Sequence, residues 1–135
     1  MFNKKKQPPI KSLIAQGTVI DGHVQFTEGL RVDGSVIGNV GADPEAASIL
    51  VISESAVITG EVRADHIIIN GHVNGPVHAA ALLELQPKAR IQGDVHYAAL
   101  EMHQGALIDG QLRPLVPGAD KPTLVLAANN QAVNS

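Results

Sequence analysis

The sequence contains no cysteine, and only three of its 135 residues are aromatic: Phe2, Phe26 and Tyr97. Without cysteine the chain can form neither disulfides nor thiolate-bound metal sites, and a reducing compartment is compatible with it. No apolar run approaches the roughly 18–20 residues of a membrane-spanning helix, and the N-terminus lacks the apolar stretch of a signal peptide. These absences favour a cytoplasmic protein whose core consists almost entirely of Val, Ile, Leu and Ala.

The main feature that the sequence does have is a repeat. A five-residue pattern, apolar-x-Gly-x-apolar, recurs six times, as in Ile58-Thr59-Gly60-Glu61-Val62. The successive glycines are spaced 16, 22, 15, 18 and 17 residues apart. They are Gly22, Gly38, Gly60, Gly75, Gly93 and Gly110. A fixed pattern at a nearly fixed period is typical of repeat architectures.

Aligning the repeats gives four columns of small or apolar residues without a single charge. The first column is Ile14, Val32, Ile52, Ile69, Leu85 and Met102. The second is Ile20, Val36, Ile58, Val73, Ile91 and Ile108. The third is Val24, Val40, Val62, Val77, Val95 and Leu112, and the fourth is Phe26, Ala42, Ala64, Ala79, Tyr97 and Pro114.

Within each repeat the apolar residues alternate with period two, which indicates strands and not helices. We therefore predict an all-β parallel solenoid of about six windings, each with three short strands around a triangular apolar core. The glycine of each winding is predicted to lie at a corner, where a Cβ atom is costly. The one long spacing predicts a bulged corner loop at residues 41–48.

Two tails flank the predicted solenoid at residues 12–114. Residues 1–11 contain four lysines, no acidic residue and Pro8-Pro9, and we expect a disordered basic tail. Residues 115–135 contain Pro117 and Pro122, and we expect them to be mostly disordered as well. Residues 12–112 carry twelve acidic and four basic residues, a net charge of −8. An acidic body argues against nucleic acid as the main partner.

These features resemble the bactofilins, a bacterial family of polymer-forming cytoskeletal proteins. The resemblance covers about residues 12–114. It rests on the repeated glycine pattern, on Ile14-Ala15-Gln16-Gly17-Thr18, on Leu30-Arg31-Val32-Asp33-Gly34, and on Met1-Phe2 followed by lysines. It implies a right-handed β-helix that assembles end to end, without nucleotide, into filaments of no overall polarity. It also implies attachment to the inner face of the cytoplasmic membrane, where such filaments position peptidoglycan enzymes or membrane proteins and affect cell shape.

The two ends of the predicted solenoid are the candidate polymerisation surfaces. Natural repeat proteins normally cover their terminal windings with a polar cap, and this sequence provides no amphipathic capping helix at either end. The N-terminal surface would present Ile14, Ile20 and Val24. The C-terminal surface would present Met102, Ile108 and Leu112. The alternative is that a tail folds over each end.

The N-terminal tail is a candidate membrane anchor. Two apolar residues that could insert into a bilayer, Met1 and Phe2, are followed by three lysines that suit anionic lipid, Lys4, Lys5 and Lys6. Burying the phenylalanine contributes roughly 1.5–3 kcal/mol, and each lysine about 1 kcal/mol near an anionic leaflet. One tail would therefore bind weakly, but many tails on one filament would bind through avidity. The alternative is a merely solubilising tail.

One outward position holds a partly basic ladder, and it is a weaker candidate for a partner surface. Following the windings, it reads Gln25, Gly41, Arg63, His78, His96 and Arg113. His78 and His96 are predicted to stack in adjacent windings, but the flanking arginines argue against a bound divalent cation. The ladder would suit an acidic partner; the alternative is a solvated face.

The sequence predicts no enzyme, no cofactor and no metal. No Ser/His/Asp set, phosphate-binding loop or paired carboxylates in a cleft can be singled out. Asp21, Asn74, Gln92 and Asp109 form an outward polar ladder, as expected of a solenoid surface. A left-handed hexapeptide-repeat acyltransferase is the alternative enzyme class, but spacings of 15, 16 and 17 break its six-residue period. A monomeric β-solenoid adaptor is the third possibility.

Overall fold

The structure, a computed structural model, describes residues 8–115. Within this range the chain forms sixteen β-strands and no helix. All strand pairs in this range are parallel, and each strand pairs with strands one winding away. The predicted all-β parallel solenoid is therefore confirmed.

The strands lie on three faces, each of which contains one strand segment from each of six windings. The first face contains β1 (Ser12–Ile14), β4 (Glu28–Val32), β7 (Ser48–Ile52), the second half of β9 (Val62–Ile69), the second half of β11 (Val77–Leu85) and β14 (Leu100–Met102). The second face contains β2 (Val19–Asp21), β5 (Ser35–Ile37), β8 (Val57–Thr59), β10 (His72–Asn74), β12 (Arg90–Gln92) and β15 (Leu107–Asp109). The third face contains β3 (Val24–Phe26), β6 (Val40–Ala42), the first halves of β9 and β11, β13 (Val95–Tyr97) and β16 (Leu112–Pro114).

The strand registers reproduce the predicted apolar columns. Val32 pairs with Ile14 on one side and with Ile52 on the other, and the second and third columns continue in the same way from end to end. The fourth column is interrupted once, because the paired register of β6 and β9 ends at Gly41 and Arg63. In the four inner windings the residues of the first three columns are at most 2% exposed.

A fifth buried column lies on the first face and was not predicted. Its members in the second to sixth windings are all buried, and the strand registers place them in line. They are Leu30, Leu50, Ile67, Leu83 and Leu100. The corner between the first and second faces is filled by small buried residues, among them Ala56, Ala89 and Ala106. The core is thus wider than the four columns suggested.

The corner between the second and third faces requires glycine, as predicted. At Gly60 the backbone has a φ of +153°, and an added Cβ atom would lie 2.2 Å from the carbonyl oxygen of Gly38 in the winding before. Side chains other than hydrogen are strained in that conformation and would collide with the neighbouring backbone. The long spacing is also explained, because residues 43–47 form a loop between β6 and β7 in which Asp43 Oδ1 accepts a hydrogen bond from the Glu45 amide at 2.9 Å.

The last residues of the N-terminal tail contact the solenoid. The Lys11 amide donates a hydrogen bond to the Gly29 carbonyl at 3.0 Å, and Lys11 Nζ lies 3.4 Å from Glu28 Oε2. The predictions made for residues 1–7 and for the C-terminal tail beyond residue 115 lie outside the described residues.

Candidate functional site

Each end of the solenoid presents three strands that have a neighbour on one side only. At the N-terminal end β1, β2 and β3 pair with β4, β5 and β6 of the second winding. At the C-terminal end β14, β15 and β16 pair with β11, β12 and β13. Among residues 8–115 no further strand covers either outer edge. Among the described residues, the backbone N–H and C=O groups on those edges thus lack a partner strand, and such edges can pair with another chain.

Side chains at the N-terminal end are more exposed than their counterparts one winding inward. Ile20 and Val24 are half-buried, whereas Val36 and Val40, which pair with them, are 0% exposed. Ile14 is only 7% exposed, so it contributes less to this surface than the sequence suggested. The end surface is therefore apolar mainly along the second and third faces.

Within residues 8–115 the C-terminal end has partly exposed column residues on all three faces. Met102, Ile108 and Leu112 are half-buried, whereas Leu85, Ile91 and Val95 beneath them are at most 2% exposed. Leu107 adds an outward side chain that is 58% exposed. Sequence reasoning missed it, although the alternation along β15 around the inward Ile108 is the signal that would have placed it outward.

The rim of the C-terminal end carries a cation that is already paired. Arg113 Nε lies 3.0 Å from Asp94 Oδ2, and Arg113 also donates a hydrogen bond to Gln111 Oε1 at 2.8 Å. A hydrogen bond from the Gln111 amide, and then the Arg113 guanidinium, hold the pKa of Asp94 below its usual range. Asp94 therefore remains charged, and Arg113 adds little net positive charge to this end.

The outward ladder forms as predicted, and the rings of His78 and His96 stack with their centroids 5.5 Å apart. Arg63, next in register to His78, is paired with Glu61 at 2.7 Å. Burial, followed by the charges of Arg63 and His96, lowers the pKa of His78, which favours its neutral form at pH 7. The ladder is thus less cationic than its composition suggests, and its role as a partner surface stays a prediction.

The polar ladder beside the glycine corner is also formed. Asp21, Asn74, Gln92 and Asp109 occupy one line of the second face, as predicted. The remaining two positions of that line are Ile37 and Thr59. Asp21 and Asp109 thus lie at equivalent positions at the two ends.

One group of three potential metal ligands occurs among the described residues, away from the histidine ladder. Ligand atoms of Glu84, Glu101 and His103 all lie within 4.8 Å of one another on the outer surface of the first face. The group is half-buried to exposed. A cluster of this kind is common on protein surfaces and by itself indicates no catalytic centre.

The predicted membrane-binding residues of the N-terminal tail lie outside the described residues. Residues 8–115 contain no helix with the length and apolarity that crossing a bilayer requires.

Comparison with known proteins identifies related sequences. The family model of the bactofilins, described as polymer-forming cytoskeletal proteins, matches residues 12–113. The chain is 24% identical over 111 residues to bactofilin BacO of Myxococcus xanthus, covering 82% of this chain and 85% of the relative. It is 25% identical over 119 residues to bactofilin BacP of the same organism, covering 84% of this chain but only 48% of that protein. No solved structure matches the chain.

Proposed function

This chain belongs to the bactofilin family of polymer-forming cytoskeletal proteins, and we propose that it forms filaments by stacking the open ends of its solenoid. The observation that supports this most strongly is the pair of ends that no strand of residues 8–115 covers, where three strand edges coincide with half-buried apolar residues of the core columns. A second protomer stacked there would continue both the backbone pairing and the apolar core. Strand pairing of this kind requires no nucleotide hydrolysis.

The contribution of each end residue follows from its inner counterpart. Ile108 stacks on Ile91, which is 2% exposed because a further winding covers it. An end-to-end joint would cover Ile108 in the same way. Complete burial of such a side chain from water contributes about 1.5–3 kcal/mol, and the joint contributes the remaining part because Ile108 is already half-buried. Several residues of this kind at each end, together with the paired strand edges, act against the entropy lost on association, which is estimated at about 4–15 kcal/mol.

The N-terminal tail is the proposed membrane anchor of the filament. Met1, Phe2 and the three lysines supply an apolar plug and positive charge, a combination that suits the anionic inner face of the cytoplasmic membrane. Because a polymer presents many tails at once, weak individual contacts would combine into stable attachment. A filament attached in this way is a scaffold on which peptidoglycan enzymes or membrane proteins could be positioned.

Electron microscopy and high-speed sedimentation of the purified protein test this function. We expect filaments in nucleotide-free buffer, and we expect added ATP or GTP to leave the sedimented fraction unchanged. A protein that stays monomeric at all concentrations would instead support the adaptor alternative. Assembly that depends on nucleotide would contradict stacking of preformed ends.

A further inference from the structure

The outer surface of the first face carries four apolar residues close together. Ile49, Val51, Ile68 and Leu82 take outward positions in the third to fifth windings, beside the inward core columns. Ile49 is only 5% exposed although it is not part of the core cluster, and the other three are half-buried. We call these four residues the outer strip. His66 lies in register between Ile49 and Leu82, so the outer strip is a partly covered apolar surface that includes one imidazole.

Two carboxylates without a strong cationic partner lie at the upper end of the outer strip. Glu84 and Glu101 pair in register in the fifth and sixth windings. Within residues 8–115 neither is paired with a lysine or arginine; their ion-pair contact is His103, at 3.6 Å and 4.0 Å, which is charged only when protonated. The outer strip therefore ends in concentrated negative charge.

The cations that could balance this charge lie outside the described residues. Five of the six lysines and arginines in residues 8–115 are already in ion pairs with other carboxylates. The sixth, Arg90, donates hydrogen bonds to backbone carbonyls. The remaining cations of the chain are the cluster Lys4, Lys5 and Lys6 and the single Lys121. The N-terminal cluster has the charge that the two carboxylates lack.

The chain enters the solenoid across the outer surface of the first face and not from its end. Gly29 is the outward position before the buried Leu30, and an added Cβ atom there would lie 2.3 Å from the Pro9 carbonyl oxygen and 2.7 Å from the Ile10 Cα. Pro9 and Ile10 therefore cross directly over Gly29, which is next in register to Ile49. The N-terminal tail begins beside the outer strip.

The tail is long enough to reach the carboxylates. Glu84 lies three windings from Gly29 and two residues farther along the strand, about 16 Å away at the usual strand spacings. Four residues from Pro8 to Lys4 span up to about 13 Å when extended, and a lysine side chain extends the reach.

From these observations we propose that residues 1–7 bind the outer strip of their own chain. The lysine stems lie over Ile68 and Leu82, and their ammonium groups pair with Glu84 and Glu101. Lysine side chains can cover apolar surface while keeping the charged group at a polar partner. The binding itself does not depend on the membrane anchor proposed above. Given that anchor, the same lysines serve two sites, and a tail bound to the strip about 90% of the time would bind membranes about tenfold more weakly.

Disulfide trapping tests the proposal. The chain has no cysteine of its own, so native thiols form no competing disulfides. Asn3→Cys is combined with Leu82→Cys on the outer strip or, as a control, with Gln92→Cys, which is exposed in the same winding on the second face. Mild oxidation followed by proteolysis and mass spectrometry gives the yield of each crosslink. We expect several-fold more crosslink to position 82 than to position 92.

Charge variants and mixing complete the test. The crosslink to position 82 should fall to the level of the control in Glu84→Gln/Glu101→Gln and in 1 M salt, where the screening length is about 3 Å. It should persist in Glu45→Gln/Asp109→Asn, which removes two charges elsewhere. Equal yields at positions 82 and 92, or no effect of Glu84→Gln/Glu101→Gln, would overturn the proposal. So would a crosslink that forms only between chains when the two single-cysteine proteins are mixed. Because the crosslink is measured within one chain, failure of filament assembly would not affect the result.

Discussion

Alanine substitutions at Gly60 and Gly22 should separate folding from assembly. At Gly60 the added Cβ would lie 2.2 Å from the Gly38 carbonyl oxygen, at a φ of +153°. Backbone strain costs about 1–3 kcal/mol, and forcing the windings apart costs about 1–3 kcal/mol more. A loss of about 2–6 kcal/mol is a large part of the roughly 5–15 kcal/mol that stabilises a typical domain.

Gly22 has a similar φ of +144°, but an added Cβ meets no atom within 4 Å. In the next five windings the corresponding Cβ would collide with the glycine of the winding before. By the same geometry the Cβ of residue 22 would project from the N-terminal end of the solenoid. Gly22→Ala should therefore lower the free energy of unfolding only by the strain of about 1–3 kcal/mol, while it obstructs an end-to-end joint.

Thermal unfolding followed by circular dichroism, at concentrations below the assembly threshold, compares the stability of the two variants. We expect Gly60→Ala to melt well below Gly22→Ala, and Gly22→Ala to stay folded at room temperature. Sedimentation and electron microscopy should then show that folded Gly22→Ala forms only short assemblies. Normal long filaments of Gly22→Ala would refute the N-terminal joint, and wild-type stability of Gly60→Ala would refute the steric argument.

Three further predictions concern the C-terminal end, the tail and pH. Leu112→Arg should stay folded but fail to form long filaments in sedimentation assays, because a joint would trap the charge near apolar surface at a cost of several kcal/mol; normal filaments would exclude this surface. Deleting residues 1–7 should leave filaments intact and abolish flotation with anionic liposomes; continued flotation would place the anchor elsewhere. A Ser53 hydrogen bond, and then Arg31, lower the pKa of Asp33. The ionised Asp33 carboxylate therefore stabilises the folded state at pH values above about 4, the pKa of aspartate in an unfolded chain. This stabilisation is lost as the pH falls through the lower pKa that Asp33 has in the folded state. Asp33→Asn should accordingly reduce stability in denaturant titrations at pH 7 but hardly at pH 2; an equal loss at both would exclude a charge effect.

The columns could be predicted because glycine fixes one corner of each winding. Once Gly60 and its equivalents are aligned, the inward positions on either side follow from the period of two, and the registers agree with them. The stacking of His78 and His96 followed for the same reason. Residues near the repeated glycine were therefore placed correctly from the sequence.

The fifth column was missed because the strands of the first face carry apolar residues at both their inward and their outward positions. In Ile49-Leu50-Val51-Ile52 inward and outward residues are all apolar, so alternation is invisible in the sequence. The register also shifts by one residue between Ala79 and Leu82, far from any glycine. The outer strip was missed for the same reason, since an apolar run does not reveal which of its members point outward.

The apolar columns run to both ends, and the charged rim also influences which ends meet. In a head-to-tail joint that continued the register, Asp109 of one protomer would be followed in the polar ladder by Asp21 of the next. Nowhere among the described windings does that ladder bring two acidic residues together. Two like charges about 4–5 Å apart in water repel by about 1 kcal/mol, roughly a factor of five per joint. When two N-terminal ends meet, their strands run antiparallel and the two Asp21 carboxylates need not face each other. Charge thus favours joints between like ends modestly, and the fit of the apolar ends must supply the rest of the selectivity.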